Sequence, residues 1–280
     1  MTEGHEGIHF VELDPEKFVQ ECVDIVKRAQ DKGIVIRILG AMAVYIHTQG
    51  NPRAREIHKT RFGAGAPMFT DLDVMAYKKQ KKKIKEFFEK ELKFLPDKMI
   101  NALFGDKRLI YYHPEGKYHV DVFFDKLEFS HDVPFGKKPG EGRLELSFPA
   151  ISPTDVVLEK LQIHEINPKD LVDLIVLFLT HEIAEEEGEG KINGKYIAQL
   201  LAEDWGFWYD AVNNLNLVKK YADQMVEEGR LKPEERDVVA QKVDQLLEKI
   251  EAEPKSKKWQ KRAKTGTKKK WWRDVEEVVR

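Results

Sequence analysis

A strand is predicted for residues 70–77, whose sequence is Thr-Asp-Leu-Asp-Val-Met-Ala-Tyr. Its two acids, Asp71 and Asp73, stand two positions apart, with apolar residues between and after them. Because successive side chains of a strand point to opposite faces of a sheet, both carboxylates lie on one face. The stretch therefore predicts a sheet with one apolar face and one acidic face.

Upstream of this strand the sequence predicts a helix, a strand and a tight turn. Asp14 followed by proline is typical of a helix start, and Gly33 is a natural end for that helix. The β-branched run Ile34–Leu39 then predicts a strand that ends at Gly40 and Ala41, where a short helical pattern begins.

Downstream of it, further strands and one helix are predicted. A helix is expected between residues 78 and 95, and Leu109–Tyr112 and Tyr118–Phe124 are expected to form a β-hairpin. Arg143–Phe148 is a further predicted strand. In the second hairpin strand Asp121 falls between two valines, so that an acidic face again alternates with a core face.

Three carboxylates on neighbouring strands would repel one another unless a cation lay between them. Asp71, Asp73 and Asp121 are hard oxygen donors of the kind that Mg²⁺ or Mn²⁺ prefers. In phosphoryl-transfer sites such ions bridge the phosphates of a nucleotide. The other interpretation is that these are ordinary surface acids at a strand end.

After Ser152 the pattern changes to helices only. Helices are predicted over residues 156–163, 169–186, 191–218 and 233–252, each from apolar residues at helical spacing. Strands followed by helices describe an α+β domain and then an all-α one.

The charge of the chain is unevenly distributed. The whole chain of 280 residues carries a net charge of −2, and residues 255–273 hold ten basic residues and no acidic one, so the rest together carries −12. Trp259, Trp271 and Trp272 are interleaved with these basic residues. Such a tail either packs on the protein's own acidic surface or contacts nucleic acid.

A second basic segment lies between Gln49 and Phe69. It is polar, contains Gly63 and Gly65, and is long for a connection, which predicts a mobile functional loop. The loop over residues 50–69 and the tail are the two segments expected to contact an RNA partner.

Neither a membrane span nor a secretory signal is expected. The longest uninterrupted apolar run, Leu174–Leu179, is far shorter than the roughly 20 residues that cross a bilayer, and the first residues show no signal-peptide pattern. With no membrane partner and a single cysteine, the expected location is the cytoplasm. Cys22 has helical spacing to apolar neighbours and is expected to be a buried core residue.

Three motifs, taken in order, resemble those of the DNA polymerase β-like nucleotidyltransferase superfamily. They are Gly40-Ala41 between a strand and a helix, Thr70-Asp71-Leu72-Asp73 about 30 residues later, and His119-Val120-Asp121-Val122-Phe123. Residues 155–162 and 169–173 resemble the helical motif of the abortive-infection type nucleotidyltransferases, which include toxins of toxin and antitoxin pairs. The resemblance covers roughly residues 34–180.

The resemblance implies a role for each matching residue of the sheet. Gly40 and Ala41 would form the turn whose backbone amides approach the nucleotide phosphates, although Ala41 stands where the superfamily usually has Ser or Gly. Asp71 and Asp73 would bind the metal ion, Mg²⁺ or Mn²⁺. Asp121 would be the third carboxylate and the general base that takes a proton from the acceptor hydroxyl.

It also implies roles for three residues of the helical motif. Lys160 would meet the triphosphate, the alternative being a surface lysine that lies along an amphipathic helix. Asp170 and Asp173 would hold Lys160 or the helix pair in place. The arginine that toxin-type members often carry before the Lys-Asp pair is replaced here by Asn167-Pro168.

Together these observations predict an α+β protein. A nucleotidyltransferase-like mixed β-sheet domain flanked by helices is expected over residues 1–150, an all-α C-terminal domain over 151–254 and a basic, Trp-containing tail over 255–280. The function implied is metal-dependent transfer of NMP from an NTP to an acceptor hydroxyl of RNA, such as a tRNA 3′ end, or of protein. The alternative is a non-catalytic nucleotide-sensing or RNA-binding protein of the same fold. A cognate antitoxin is an expected partner if the chain belongs to a toxin–antitoxin or phage-defence system.

Overall fold

The computed structural model describes residues 14–61 and 67–275 and divides the chain into two compact units. For the residues described, unit 1 comprises Met1–Met42, Gly65–Lys126 and Phe135–Ile151, and unit 2 comprises Ala43–Ala64, Leu127–Pro134 and Ser152–Arg280. The last change of unit falls next to the predicted boundary at residue 150. The division differs from the predicted one because residues 43–64 and 127–134 belong to unit 2, as does the described part of the tail.

The secondary structure of the described residues is mixed α+β, as predicted. The helices are α1 Pro15–Asp31, α2 Gly40–His47, α3 Pro52–Lys59, α4 Lys81–Glu86, α5 Lys98–Phe104, α6 Pro153–Leu161, α7 Pro168–Thr180, α8 Gly194–Glu203, α9 Trp205–Glu227, α10 Pro233–Ala252 and α11 Lys257–Ala263. The strands are β1 Ile36–Ile38, β2 Leu72–Ala76, β3 Leu95–Pro96, β4 Arg108–Tyr112, β5 His119–Phe124, β6 Lys126–Glu128, β7 Asp132–Pro134, β8 Glu182–Ala184 and β9 Lys191–Asn193.

Unit 1 is built on a five-stranded mixed sheet in the order β1-β2-β5-β4-β3. β2 and β5 are parallel, and the other neighbouring strands are antiparallel. The predictions of β1, β2 and the β4–β5 hairpin are therefore confirmed, with shorter bounds at β1 and β2. Four apolar residues on one face of β2 and β5 are fully buried, namely Leu72, Val74, Val120 and Val122.

The first helix, α1, begins at the residues that its sequence predicts. The side chain of Asp14 accepts a hydrogen bond from the N–H of Lys17, and Pro15 occupies the first helical position. Its buried face includes Phe18 and the fully buried Cys22, and α1 packs against β1. Burial raises the pKa of the Cys22 thiol well above its usual value, so the prediction of a core cysteine is confirmed.

The prediction of a loop between residues 49 and 69 is wrong over α3. Asn51 caps this helix by accepting from the N–H of Ala54, and Pro52 is its first residue. Ile57 and His58 lie on its buried face. The Asn-Pro pair is the same start signal as at α1, but the helix is too short and too basic for its periodicity to stand out. Residues 62–66, with Gly63 and Gly65, lie outside the described residues.

Three further expectations are corrected. Arg143–Phe148 is not a strand, because the N–H of Leu144 bonds the Tyr77 hydroxyl and residues 144–146 form a 3₁₀ turn. The predicted helix over 78–95 ends in a π-helical turn at Phe87–Glu91, and Leu95 is 58% exposed in β3. The C-terminal half is not helical throughout, because β8 and β9 form a parallel pair between α7 and α8.

Within unit 2 the tail packs on the body through a buried aspartate. Asp210 of α9 bonds His131 Nε2 at 2.7 Å, His164 Nδ1 at 3.0 Å and Trp271 Nε1 at 3.0 Å. Trp272 stacks on His164 with ring centroids 3.7 Å apart. Of the two interpretations of the tail, packing on the protein's own surface is the one seen for these two rings.

In the described part of the chain, every helix falls short of the length and apolar character that a bilayer crossing requires.

We expect Trp271→Ala to lower the free energy of unfolding by about 2–4 kcal/mol, because it opens a cavity and leaves a buried oxygen of Asp210 without its indole donor. Urea denaturation monitored by circular dichroism measures this change. Trp259→Ala is the matched control and should change the unfolding free energy by less than about 1 kcal/mol. Equal losses in the two variants would show that Trp271 has no special structural role.

Candidate functional site

The predicted carboxylate pair is brought together by the pairing of β2 with β5. Asp73 and Asp121 are directly opposite each other in the register of these parallel strands. Their side chains therefore project from the same face of the sheet at the same level. The side chain of Asp121 is only 6% exposed, whereas Asp73 is half-buried.

The predicted glycine turn lies beside Asp73. The N–H of Leu39, the residue after β1, donates to the carbonyl of Asp73 at 2.9 Å. Gly40 follows with φ of +65° and opens α2, and Ala41 is the next residue. This φ is in the left-handed region that favours glycine, so the turn depends on Gly40. The start of α2, with its backbone N–H groups, is thus placed next to an acidic residue of the neighbouring strand.

Asp71 lies just before β2, next to the first residue of β5. Its Oδ2 is 3.3 Å from Nε2 of His119, and its side chain is 38% exposed. Because Leu72 is the register partner of Val120, Asp71 and His119 are neighbours at the same end of the two strands. The three acids therefore share one region of unit 1, but Asp71 has a histidine partner.

Sequence reasoning missed Arg108. Its Nη2 is 2.5 Å from Oδ2 of Asp121, in a largely buried ion pair. The signal was available in the predicted hairpin, because Ile110 pairs with Asp121 and Arg108 stands two residues before it on the same strand face. The general base implied by the resemblance therefore has a guanidinium on one of its oxygens.

These contacts define how well the acids suit a divalent cation. Carboxylate oxygens are the ligands that Mg²⁺ prefers, and Asp73 with Asp121 supplies two of them side by side. Within residues 14–61 and 67–275, however, no group of three or more His, Cys, Asp or Glu side chains is arranged to hold a metal ion. Asp73 and Asp121 could therefore supply two carboxylate ligands to Mg²⁺. Asp71 could supply a third only if its side chain turned away from His119.

Lys160 lies in unit 2, on α6, and is buried. Its Nζ is 2.7 Å from Asp170 Oδ1 and 3.0 Å from Asp173 Oδ2, both on α7. Asn167, which caps α7, donates from its side chain to Asp170 Oδ2 at 2.7 Å. Lys160 is therefore not a surface lysine, and the two acids hold it as the sequence analysis expects of this helix pair. Its implied contact with a triphosphate stays a prediction.

Two residues that the sequence did not single out complete this cluster. His58 Nε2 is 2.9 Å and Arg61 Nε is 2.6 Å from Asp173 Oδ1. We call these five residues, His58, Arg61, Lys160, Asp170 and Asp173, the buried charge cluster. His58 and Arg61 come from α3 and the residues after it, which explains why α3 packs against α7.

The charges of the cluster depend on one another. Burial by itself lowers the pKa of Lys160, but attraction to Asp170 and Asp173 outweighs it and raises that pKa well above its usual value. Burial likewise opposes the charge of Asp173, yet Lys160, the hydrogen bond from His58 and Arg61 bring its pKa far below the usual range. Burial lowers the pKa of His58, so the ring is neutral and donates from Nε2 to Asp173.

Comparison with known proteins finds no relative: no family model, no curated protein and no solved structure matches this chain. The resemblance to the nucleotidyltransferase superfamily therefore rests on the sequence motifs themselves.

Breaking the buried charge cluster should destabilise the protein strongly. We expect Asp173→Asn to lower the free energy of unfolding by about 3–5 kcal/mol, because Lys160 and Arg61 stay buried with one anion fewer. Asp244→Asn, which removes the partner of Lys219 in an exposed ion pair, is the control and should cost under about 1 kcal/mol. Similar losses for the two variants in urea denaturation would contradict a special role for the cluster.

The neutral state of His58 predicts a pH dependence. Because its folded pKa lies below the value of about 6.5 of an unfolded chain, the unfolded state binds the proton first as the pH falls. The stabilisation is therefore complete above pH 6.5 and is lost as the pH falls. We expect the unfolding free energy of the wild type to decrease more between pH 7 and 5 than that of His58→Gln. Parallel curves would exclude His58 as a contributor.

Proposed function

We propose that the protein is a nucleotidyltransferase that binds an NTP with Mg²⁺ in unit 1 and transfers NMP to an acceptor hydroxyl, releasing pyrophosphate. The observation that supports this most is the side-by-side position of Asp73 and Asp121 on parallel strands, next to the turn at Gly40. The sequence motifs agree with this placement, because the same residues carry the resemblance.

The arrangement suits a triphosphate and a cation for a simple electrostatic reason. When bound, Mg²⁺ would neutralise phosphate charge, and Asp73 with Asp121 would hold it. The backbone N–H groups at the start of α2 favour a negative group, and Gly40 has no side chain to keep a phosphate away. Ala41 has no hydroxyl, so these contacts come from the backbone alone.

In the transfer itself, Asp121 acts as the general base. The acceptor hydroxyl gives its proton to a carboxylate oxygen of Asp121, and its oxygen forms a bond to the α-phosphorus. The bond between the α-phosphorus and the bridging oxygen breaks, and pyrophosphate leaves with that electron pair. Arg108 bonds Oδ2 of Asp121, so the proton goes to Oδ1 unless the guanidinium moves away.

The acceptor is proposed only as a class. A hydroxyl of RNA or of a protein satisfies the chemistry, and a cognate antitoxin is a proposed partner only through the resemblance. Lys160 has no step in this mechanism, because its ammonium already bonds two buried carboxylates.

A second candidate is a nucleotide sensor without transferase activity. The Arg108–Asp121 ion pair favours it, because a carboxylate that already has a cationic partner is a poorer metal ligand and a poorer base. Such a protein would bind the NTP and release no pyrophosphate.

We expect Asp73→Asn to weaken Mg²⁺-dependent NTP binding by at least about tenfold, because it removes a charged ligand from the pair. Asp121→Asn removes the other ligand of the pair and should keep measurable but weaker binding, and it should lower pyrophosphate release at saturating NTP by about 10²–10⁴-fold, because the general base acts in the transition state. Calorimetry with each NTP and Mg²⁺ measures binding, and a pyrophosphate assay with total RNA or cell lysate measures transfer.

Asp106→Asn is the matched control. This exposed acid lies in unit 1, and its ion pairs in the described part of the chain are with Lys78 and Lys81. It should leave both measurements unchanged. Binding without pyrophosphate release under every condition would favour the sensor. Unchanged Mg²⁺-dependent NTP affinity in Asp73→Asn would remove the proposed site.

A further inference from the structure

Unit 2 contains a cavity that the proposed transferase site does not use. Its volume is about 670 Å³, within the range of roughly 300–1,000 Å³ of small-molecule sites. It lies between the start of α9 and the C-terminal segment that includes α11. Five cationic side chains and three acidic ones line it, the cationic ones being Lys258, Lys261, Arg262, Lys270 and Arg273.

Three of these cations have no carboxylate partner in the described chain. Lys270 and Arg273 pair with Asp274 and Asp132, respectively. Arg262 donates instead to the backbone carbonyls of Gly266 and Lys269, and no ion pair involves Lys258 or Lys261. Five positive and three negative side chains line the cavity, so its lining carries a positive excess, which favours an anionic ligand.

The aromatic rings of the cavity differ in what they contact. Trp271 and Trp272 are structural, since the first bonds Asp210 and the second stacks on His164. Trp205 also has partners on its ring, with Tyr209 stacked at 5.2 Å and the guanidinium of Arg262 at 4.7 Å.

Trp259 is the exception among the tryptophans of the cavity. Its ring meets one other ring of the described residues, Trp208, in an edge-to-face contact at 5.0 Å. Its Nε1–H is buried and has no hydrogen-bond partner there. On α11, Trp259 stands between Lys258 and Lys261, so a ring of the cavity with a single ring partner is flanked by two lysines that have no carboxylate partner among the described residues.

We infer that this cavity binds a single-stranded polynucleotide, with one base stacked on Trp259 and adjacent phosphates held by Lys258, Lys261 and Arg262. Base stacking on an aromatic ring beside a basic groove is the general way in which proteins hold single strands. The bases of a duplex are stacked on one another, so a duplex can place its phosphates against the cationic side chains but cannot stack a base on the Trp259 ring.

This site is independent of the transfer reaction. Binding is measured without NTP or Mg²⁺, so its failure and the failure of the transferase proposal are separate results. If both hold, the cavity would retain an RNA acceptor.

The first test removes the phosphate contacts. Fluorescence anisotropy is measured with a labelled single-stranded RNA of about ten nucleotides. A DNA strand of the same sequence shows whether the cavity prefers RNA or DNA. We expect the double variant Lys258→Gln with Lys261→Gln to weaken binding at least about threefold at low salt. It should also reduce the slope of log affinity against log salt by up to about 1.4, because each phosphate contact to a single strand contributes about 0.7 to that slope. The control pair Lys195→Gln with Lys220→Gln removes two exposed lysines of unit 2 outside the cavity and should change neither.

The second test removes the ring. Trp259→Ala should weaken binding of the single strand roughly 5- to 150-fold with an unchanged salt slope, because stacking releases no counterions. Trp259→Phe keeps an aromatic face and should lose less. Thermal melts establish that each variant is folded before its affinity is measured.

Several results would overturn the proposal. These are wild-type affinity in both Trp259→Ala and the Lys258/Lys261 variant, equal binding of a duplex of the same length, and equal binding of poly-glutamate at the same salt concentration. Equal binding of poly-glutamate would show that the cavity attracts any anionic polymer, or that it binds acidic proteins. Absence of any binding by the wild type at low salt would remove it altogether.

Discussion

The parallel pairing of β2 with β5 is the constraint on which unit 1 depends. Parallel neighbours cannot be joined by a tight turn, so a long connection runs between them, and it contains α4, α5 and the strands β3 and β4 of the same sheet. The same register buries Leu72 and Val74 with their valine partners on one face and sets Asp73 opposite Asp121 on the other. One pairing thus produces both the hydrophobic core and the acidic surface, and a slip of one residue would exchange the two.

Unit 2 depends on a different interaction, the buried charge cluster around Asp173. Burying a carboxylate alone is very unfavourable, and Lys160 and Arg61 offset that cost only because both reach the same side chain. The cluster is therefore a geometric requirement: α3, α6 and α7 have to pack so that their charges meet. A neutral His58 adds a hydrogen bond to Asp173 without adding a further positive charge.

The C-terminal segment shows that similar residues can serve different ends. Trp271 and Trp272 are adjacent to basic residues, as Trp259 is, but the first two have ring and carboxylate partners that fasten the segment to unit 2. Trp259 has a single ring contact and three cations near it. Composition alone cannot separate these roles, because what distinguishes the rings is the set of side chains that the fold places against each of them.

The sequence by itself determined β1, β2 and the β4–β5 hairpin with their alternating faces, the start of α1 and the bounds of α10, because strand alternation, helix periodicity and capping are encoded in neighbouring residues. It also determined that Asp73 and Asp121 carry the acidic face. Only the tertiary structure decided that Arg108 bonds Asp121, that His58 and Arg61 reach Asp173, and that residues 143–148 fail to form a strand. Those outcomes depend on partners that are distant in the chain, and a local pattern states what a residue favours but not which distant group will satisfy it.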